Sequence, residues 1–99
     1  MQAPDNMPYS SDFIARIKQQ PPSELGTRLA LWAIYHDISA TKLAKALGAS
    51  RQSVYNWMKG GGVLKVYEEH IERLLVCMQN AKTSDDAWKK ICLEFNLRT

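Results

Sequence analysis

Two short helical patterns, residues 40–47 and 51–59, are separated by little more than Gly48, and this spacing constrains the fold more than any other feature. In the first pattern Leu43 and Leu47 are four apart and share a face. Ala44 sits between them, where another helix must come close and only a small side chain permits it. Gly48 falls where the helix ends and the chain reverses, a position that usually needs a positive φ, which glycine adopts at little cost. Ser39 and Ser50 stand where N-caps belong, and Ala49 packs into the turn. In the second pattern Val54 and Trp57 face inward. Arg51, Gln52, Ser53, Tyr55 and Asn56 are therefore expected to point largely outward. Such spacing holds one helix against another and leaves the second presenting polar groups.

The rest of the chain reads as helix as well. No segment alternates apolar and polar residues over strand length with turn signals at both ends. Residues 1–9, with two prolines and few apolar groups, are expected to form a flexible tail. Ser10 or Ser11 caps a helix to about Gln20 with Phe13, Ile14 and Ile17 on one face, and Pro21-Pro22 ends it. Ser23 is expected to cap a helix to about His36 with Leu25, Leu29, Trp32 and Ala33 inward. Leu31, Ile34 and Tyr35 widen its stripe nearly all round, as in a central or partner-covered helix. Gly60, Gly61 and Gly62 break the chain, either as a flexible connector or as bare N–H groups able to approach a phosphate. Tyr67, Ile71, Leu74, Leu75 and Met78 mark a helix from about Lys65 to Asn80. Thr83 and Asp86 form a capping-box pattern opening a last helix, residues 84–96, which buries Trp88, Ile91, Cys92 and Phe95. The expected fold is a compact all-α bundle of about five to six helices in a single domain, residues 10–99.

Composition narrows the class. Ninety-nine residues make one domain, and 45% hydrophobic with 23% charged residues is ordinary for a soluble globule. Cys77 and Cys92 have no metal-ligand spacing and read as reduced thiols of a cytoplasmic protein. The N-terminus lacks a basic start followed by an apolar run, so no signal peptide is expected, and no run is long enough to span a membrane. The net charge is +3, and the whole excess falls on residues 23–59, where Arg28, Lys42, Lys45, Arg51 and Lys59 face only Glu24 and Asp37. Local basicity of this kind suits a polyanion, although a solvated surface can also produce it. His36 and His70 stand alone and read as surface or partly packed side chains. No nucleophile–base pair and no metal or cofactor motif is visible, so the chain reads as a binding protein and not as an enzyme.

Residues 40–59, through Leu43, Ala44, Leu47, Gly48, Ala49, Val54 and Trp57, resemble the helix-turn-helix of the Cro and phage-repressor (lambda-repressor-like, XRE-type) family. The resemblance extends more loosely from Ser23 to Asn80. The three glycines after the second helix depart from the family pattern, and the flanking helices look like additions. The resemblance implies a sequence-specific double-stranded DNA-binding transcriptional regulator, a phage- or bacterial-type repressor acting at the nucleoid, whose second helix enters the major groove. Arg51 then suits guanine O6 and N7, and Gln52 and Asn56 suit adenine N6 and N7. Ser50, Ser53 and Tyr55 suit phosphate oxygens, with Lys42, Lys45 and Lys59 adding charge nearby. A homodimer on an inverted repeat is implied, joined through the helix Glu24–His36 or the appended C-terminal helix. The rival expectation is a protein-interaction module of the same fold that acts on RNA polymerase or another regulator without reading bases.

Overall fold

The computed structural model describes residues 9–98, and residues 1–8 of the expected tail lie outside it. Six helices follow in order: α1 Ser11–Lys18, α2 Leu25–Tyr35, α3 Ala40–Leu47, α4 Arg51–Met58, α5 Lys65–Gln79 and α6 Ser84–Glu94. No strand occurs among the described residues. The radius of gyration, 12.7 Å, is close to the ~13 Å of a folded chain this long.

Local chemistry sets most of the boundaries. Ser10, Ser39, Ser50 and Thr83 each accept a hydrogen bond from the backbone N–H three residues on, satisfying an otherwise orphaned donor. Asp86 reaches back to the N–H of Lys82 at 3.2 Å, a variation on the expected capping box, and lies 3.7 Å from Lys90 one turn on. Two details differ from expectation. Ser23 does not cap α2, which starts behind Glu24 without a side-chain cap. Tyr9 belongs to the fold rather than to a tail: it is 3% exposed, and its hydroxyl donates to the Ile38 carbonyl at 2.6 Å.

α2 is the central helix, touching α1, α4 and α5, which accounts for its wide apolar stripe. It buries Leu29, Ala30 and Ala33, half-buries Leu31, Trp32 and Ile34, and leaves Tyr35 74% exposed. The core continues through Leu43 and Leu47 of α3, Val54 and Met58 of α4, Ile71, Leu74, Leu75 and Met78 of α5, and Ile91 of α6. Trp88, expected in the core, is half-buried. At the other end of α2 the chain turns through Asp37 at φ 55°, and the Ile38 N–H returns to the Ala33 carbonyl at 2.9 Å. That turn seals His36 inside at 2% exposure, with Nε2 2.8 Å from the Met78 carbonyl. A surface or partly packed histidine was expected; the bond to α5 is what makes its burial tolerable.

The closest backbone approach lies between α2 and α4. A Cβ added at Gly26 would stand 2.0 Å from the carbonyl oxygen of Trp57. Gln20 closes the same junction from outside, its amide Nε2 reaching Thr27 Oγ1 at 3.0 Å and the Met58 carbonyl at 2.7 Å. Gly26→Ala must therefore push two helices apart. We expect it to cost about 2–3 kcal/mol in urea unfolding, the upper range for overpacking. Gly62→Ala, with nothing within 4 Å, should be near neutral. Equal effects of the two changes would show that the crossing is not tight.

Candidate nucleic-acid interface

The two helices flagged by sequence are joined as their residues dictate. Gly48 adopts φ 67°, and the Ala49 N–H returns to the Ala44 carbonyl at 3.0 Å. Ala44 is buried, and α3 packs against α4. α4 begins with the Ser50 cap, and Val54, Trp57 and Met58 are its buried face.

Of the candidate base-contacting residues, Gln52 and Asn56 stand together on the opposite side, whereas Arg51 opens the helix one turn before Tyr55, on the flank toward α1. Arg51, Gln52 and Asn56 are all exposed, and Gln52 Nε2 donates to Asn56 Oδ1 at 3.2 Å. That bond links two amides one helical turn apart, leaving the Gln52 oxygen and the Asn56 amide hydrogens free to pair elsewhere. Arg51 forms no ion pair within 4.0 Å among the described residues, so its guanidinium is open to a ligand.

The candidate backbone-contacting residues divide. Lys45 is exposed and Lys59 half-buried, neither with a carboxylate partner among the described residues. Lys42 is exposed but leans toward α6, with Nζ 5.0 Å above the Trp88 ring, a cation–π contact of about 0.5–1 kcal/mol. Ser50 is occupied by its cap and by donation to Ser53 Oγ at 3.0 Å, which leaves the Ser53 hydroxyl hydrogen to reach outward. Tyr55 does not point outward as expected. It is half-buried, with its ring edge-on to Phe13 at 5.5 Å and to Tyr9 at 6.5 Å. Phe13 in turn stacks on Tyr9 at 5.4 Å, so an aromatic wedge from the N-terminal segment braces α4. Burial pushes the Tyr9 hydroxyl pKa well up from the usual tyrosine value, with Tyr55 adding to the effect, so it stays a neutral donor.

The triglycine is part of this brace. The Gly60 N–H returns to the Trp57 carbonyl at 3.1 Å and the Gly61 N–H to the Asn56 carbonyl at 2.8 Å. With Gly60 at φ 99°, these are the paired bonds that close a helix C-terminus. Gly61 is also obligatory on space, since a Cβ there would meet the Asn56 carbonyl at 2.7 Å. The loop is therefore a cap. Neither a flexible connector nor bare N–H groups describes Gly60 and Gly61.

Other chemistry is sparse. No group of three or more His, Cys, Asp or Glu able to hold a metal occurs among the described residues. Burial, then Glu94, raises the Cys77 thiol pKa, which disfavours a reactive thiolate. A hollow of about 320 Å³ between α2 and α5 is lined by Leu31, Trp32, Tyr35, Gln79 and Ala81, none of them a candidate residue. No described helix is long and apolar enough to cross a membrane.

Sequence reasoning missed Tyr9, Gln20, Gly26 and the placement of Lys42. Phe13 carried a signal as part of an apolar stripe, but nothing local says that its partner is Tyr55, forty-two residues away. Comparison with protein-family models, curated proteins and solved structures finds no match for the chain.

The brace is testable by a double-mutant cycle. Phe13→Leu and Tyr55→Leu should each destabilise, with a coupling of about 0.5–1.5 kcal/mol for an edge-to-face aromatic pair. Additive losses would mean that the rings are neighbours without being coupled.

Proposed function

We propose that the protein is a sequence-specific double-stranded DNA-binding transcriptional regulator of phage or bacterial repressor type. In this reading α4 lies in the major groove. The single observation that carries the reading is the exposure of Arg51 at the start of α4 and of the hydrogen-bonded pair Gln52 and Asn56 along it, on a short helix braced by its neighbours. Arg51 matches guanine O6 and N7 with its fork of donors, and an amide of Gln52 or Asn56 matches adenine N6 and N7. The Gln52–Asn56 bond presents one amide already oriented, which lowers the ordering cost of a bidentate contact. Lys45, Lys59 and the Ser53 hydroxyl supply contacts to phosphate. Of the basic residues in 23–59, Arg28 is taken up by Glu72 at 3.7 Å, so the unpaired cations cluster on α3 and α4.

One short helix reads few base pairs, and a homodimer on an inverted repeat would double the site, with half-sites about 10 base pairs apart. The candidate joining surfaces are α2, through Tyr35, and α6. The protein would act in the cytoplasm, at the nucleoid of a bacterial or phage-infected cell. A second reading, a protein-interaction module that contacts RNA polymerase or another regulator, draws on the exposed Tyr35 beside the apolar hollow.

Selection from random-sequence duplexes by the purified protein tests the proposal. An enriched motif supports it, and no enrichment together with salt-insensitive affinity moves the weight to the second reading. On the recovered motif, Arg51→Ala should cost about 1–3 kcal/mol and flatten preference at one base pair, with Gln52→Ala or Asn56→Ala doing so at another. Lys45→Ala or Lys59→Ala should weaken motif and random duplexes alike and reduce the salt slope by up to about 1. A motif-to-random ratio untouched by the Arg51, Gln52 and Asn56 changes would remove base reading from α4.

A further inference from the structure

The contacts between α1 and α4 fix how the two helices face. Phe13 lies against Tyr55, and Gln20, just past the end of α1, reaches the carbonyl of Met58, one turn after Tyr55. The helices therefore run in the same direction. α1 turns Ile14 and Ile17 toward the core, as α4 turns Val54, Trp57 and Met58. Parallel helices wind in the same sense, so side chains at equivalent angles look the same way. With Phe13 on the edge of α1 toward α4, and Gln20 just past its C-cap reaching the same helix, the solvent edge of α1 consists of Asp12, Arg16 and the C-cap Gln19. That edge continues the surface formed by Gln52, Asn56 and Lys59 on α4. Arg16 is nearest the junction, three residues after Phe13 and four before Gln20. Lys18, two residues from Arg16 and so about 200° around the helix, is on the far flank.

Arg16 is exposed and has no carboxylate within 4.0 Å among the described residues, not even Asp12 one turn earlier. Arg28 and Arg73, by contrast, both pair with glutamates. An unpaired guanidinium presents a planar fork that matches phosphate oxygens. A helix is about 10 Å across and the major groove about 12 Å wide, so α4 nearly fills the groove and a helix beside it lies over the rim, where the phosphates are.

We infer that α1 is a second DNA-contacting element, with Arg16 bound to the phosphate backbone of double-stranded DNA at the edge of the groove that α4 enters. The inference rests on the reading of α4 as the major-groove helix. It extends that reading to a helix which the resemblance to the repressor family does not cover. Asp12, on the same edge, opposes the contact and weakens binding to any duplex.

Fluorescence anisotropy with a labelled random-sequence duplex, over a series of salt concentrations, tests the assignment because a phosphate contact is independent of sequence. Arg16→Ala should weaken binding roughly three- to tenfold and reduce the salt slope by about 1. Lys18→Ala, the same charge change on the far flank, should have a much smaller effect on both. Arg16→Lys should recover most of the loss, and Asp12→Asn should tighten binding. Asp12, Arg16 and Lys18 are all exposed, so the melting temperatures of the four variants should match the unmodified protein. Equal effects of Arg16→Ala and Lys18→Ala, or no effect of Arg16→Ala, would overturn the role of α1 while leaving α4 as the reading helix. If the unmodified protein shows no salt-dependent affinity for the duplex, the reading of α4 fails and the role of α1 falls with it.

Discussion

The structure depends on the contact between Gly26 of α2 and the Trp57 carbonyl of α4. At that point no side chain fits, and the two backbones set each other's position. α2 is itself held by α1 and α5, so its contact with α4 ties the candidate interface to the centre of the core. Gln20 bolts the junction by bonding Thr27, next to Gly26, and Met58, next to Trp57. Both of those groups would otherwise be polar atoms in an apolar setting, where an unmet hydrogen bond costs more than a made one contributes.

An eight-residue helix is too short to persist alone, because nucleation costs more than so few bonds return. α4 persists because each side has a different support. Ser50 satisfies its first turn, Gly60 and Gly61 close its last, α3 lies against it through the Gly48 turn, and the Tyr9–Phe13 wedge bears on Tyr55. What remains exposed is Arg51 at its start and the edge carrying Gln52 and Asn56. Groups on a braced helix hold their geometry better than groups on a loop, which is the requirement for a bidentate contact. The charges are sorted in the same way. Glu72 neutralises Arg28 and Trp88 draws Lys42 toward α6, whereas the exposed Arg16, Lys45 and Arg51 and the half-buried Lys59 have no acidic partner among the described residues.

Much of this is legible from single residues. Ser39, Ser50 and Thr83 read as caps because capping is a bond spanning three residues, and Gly48 reads as a left-handed turn because few other residues accept that φ. The same logic misplaced the cap of α2, where Ser23 has the right chemistry one residue too early and Glu24 holds the position. The triglycine was legible as a break but not as a cap. Its meaning lies in which carbonyls its N–H groups find, and α4 supplies those only once it has formed.

The sequence by itself determined the six helices, the turn between α3 and α4, and the polar set Arg51, Gln52 and Asn56, because periodicity and capping act within one or two turns of chain. Tertiary structure alone decided that Tyr55 faces α1, that His36 is buried on Met78, and that Lys42 meets Trp88. Each of these depends on residues about forty or more positions apart in the chain. The side chains involved can each lie either in solvent or against a neighbour. Only the packing of whole helices, settled by close approaches such as Gly26 to Trp57, determines which neighbour is there to meet them.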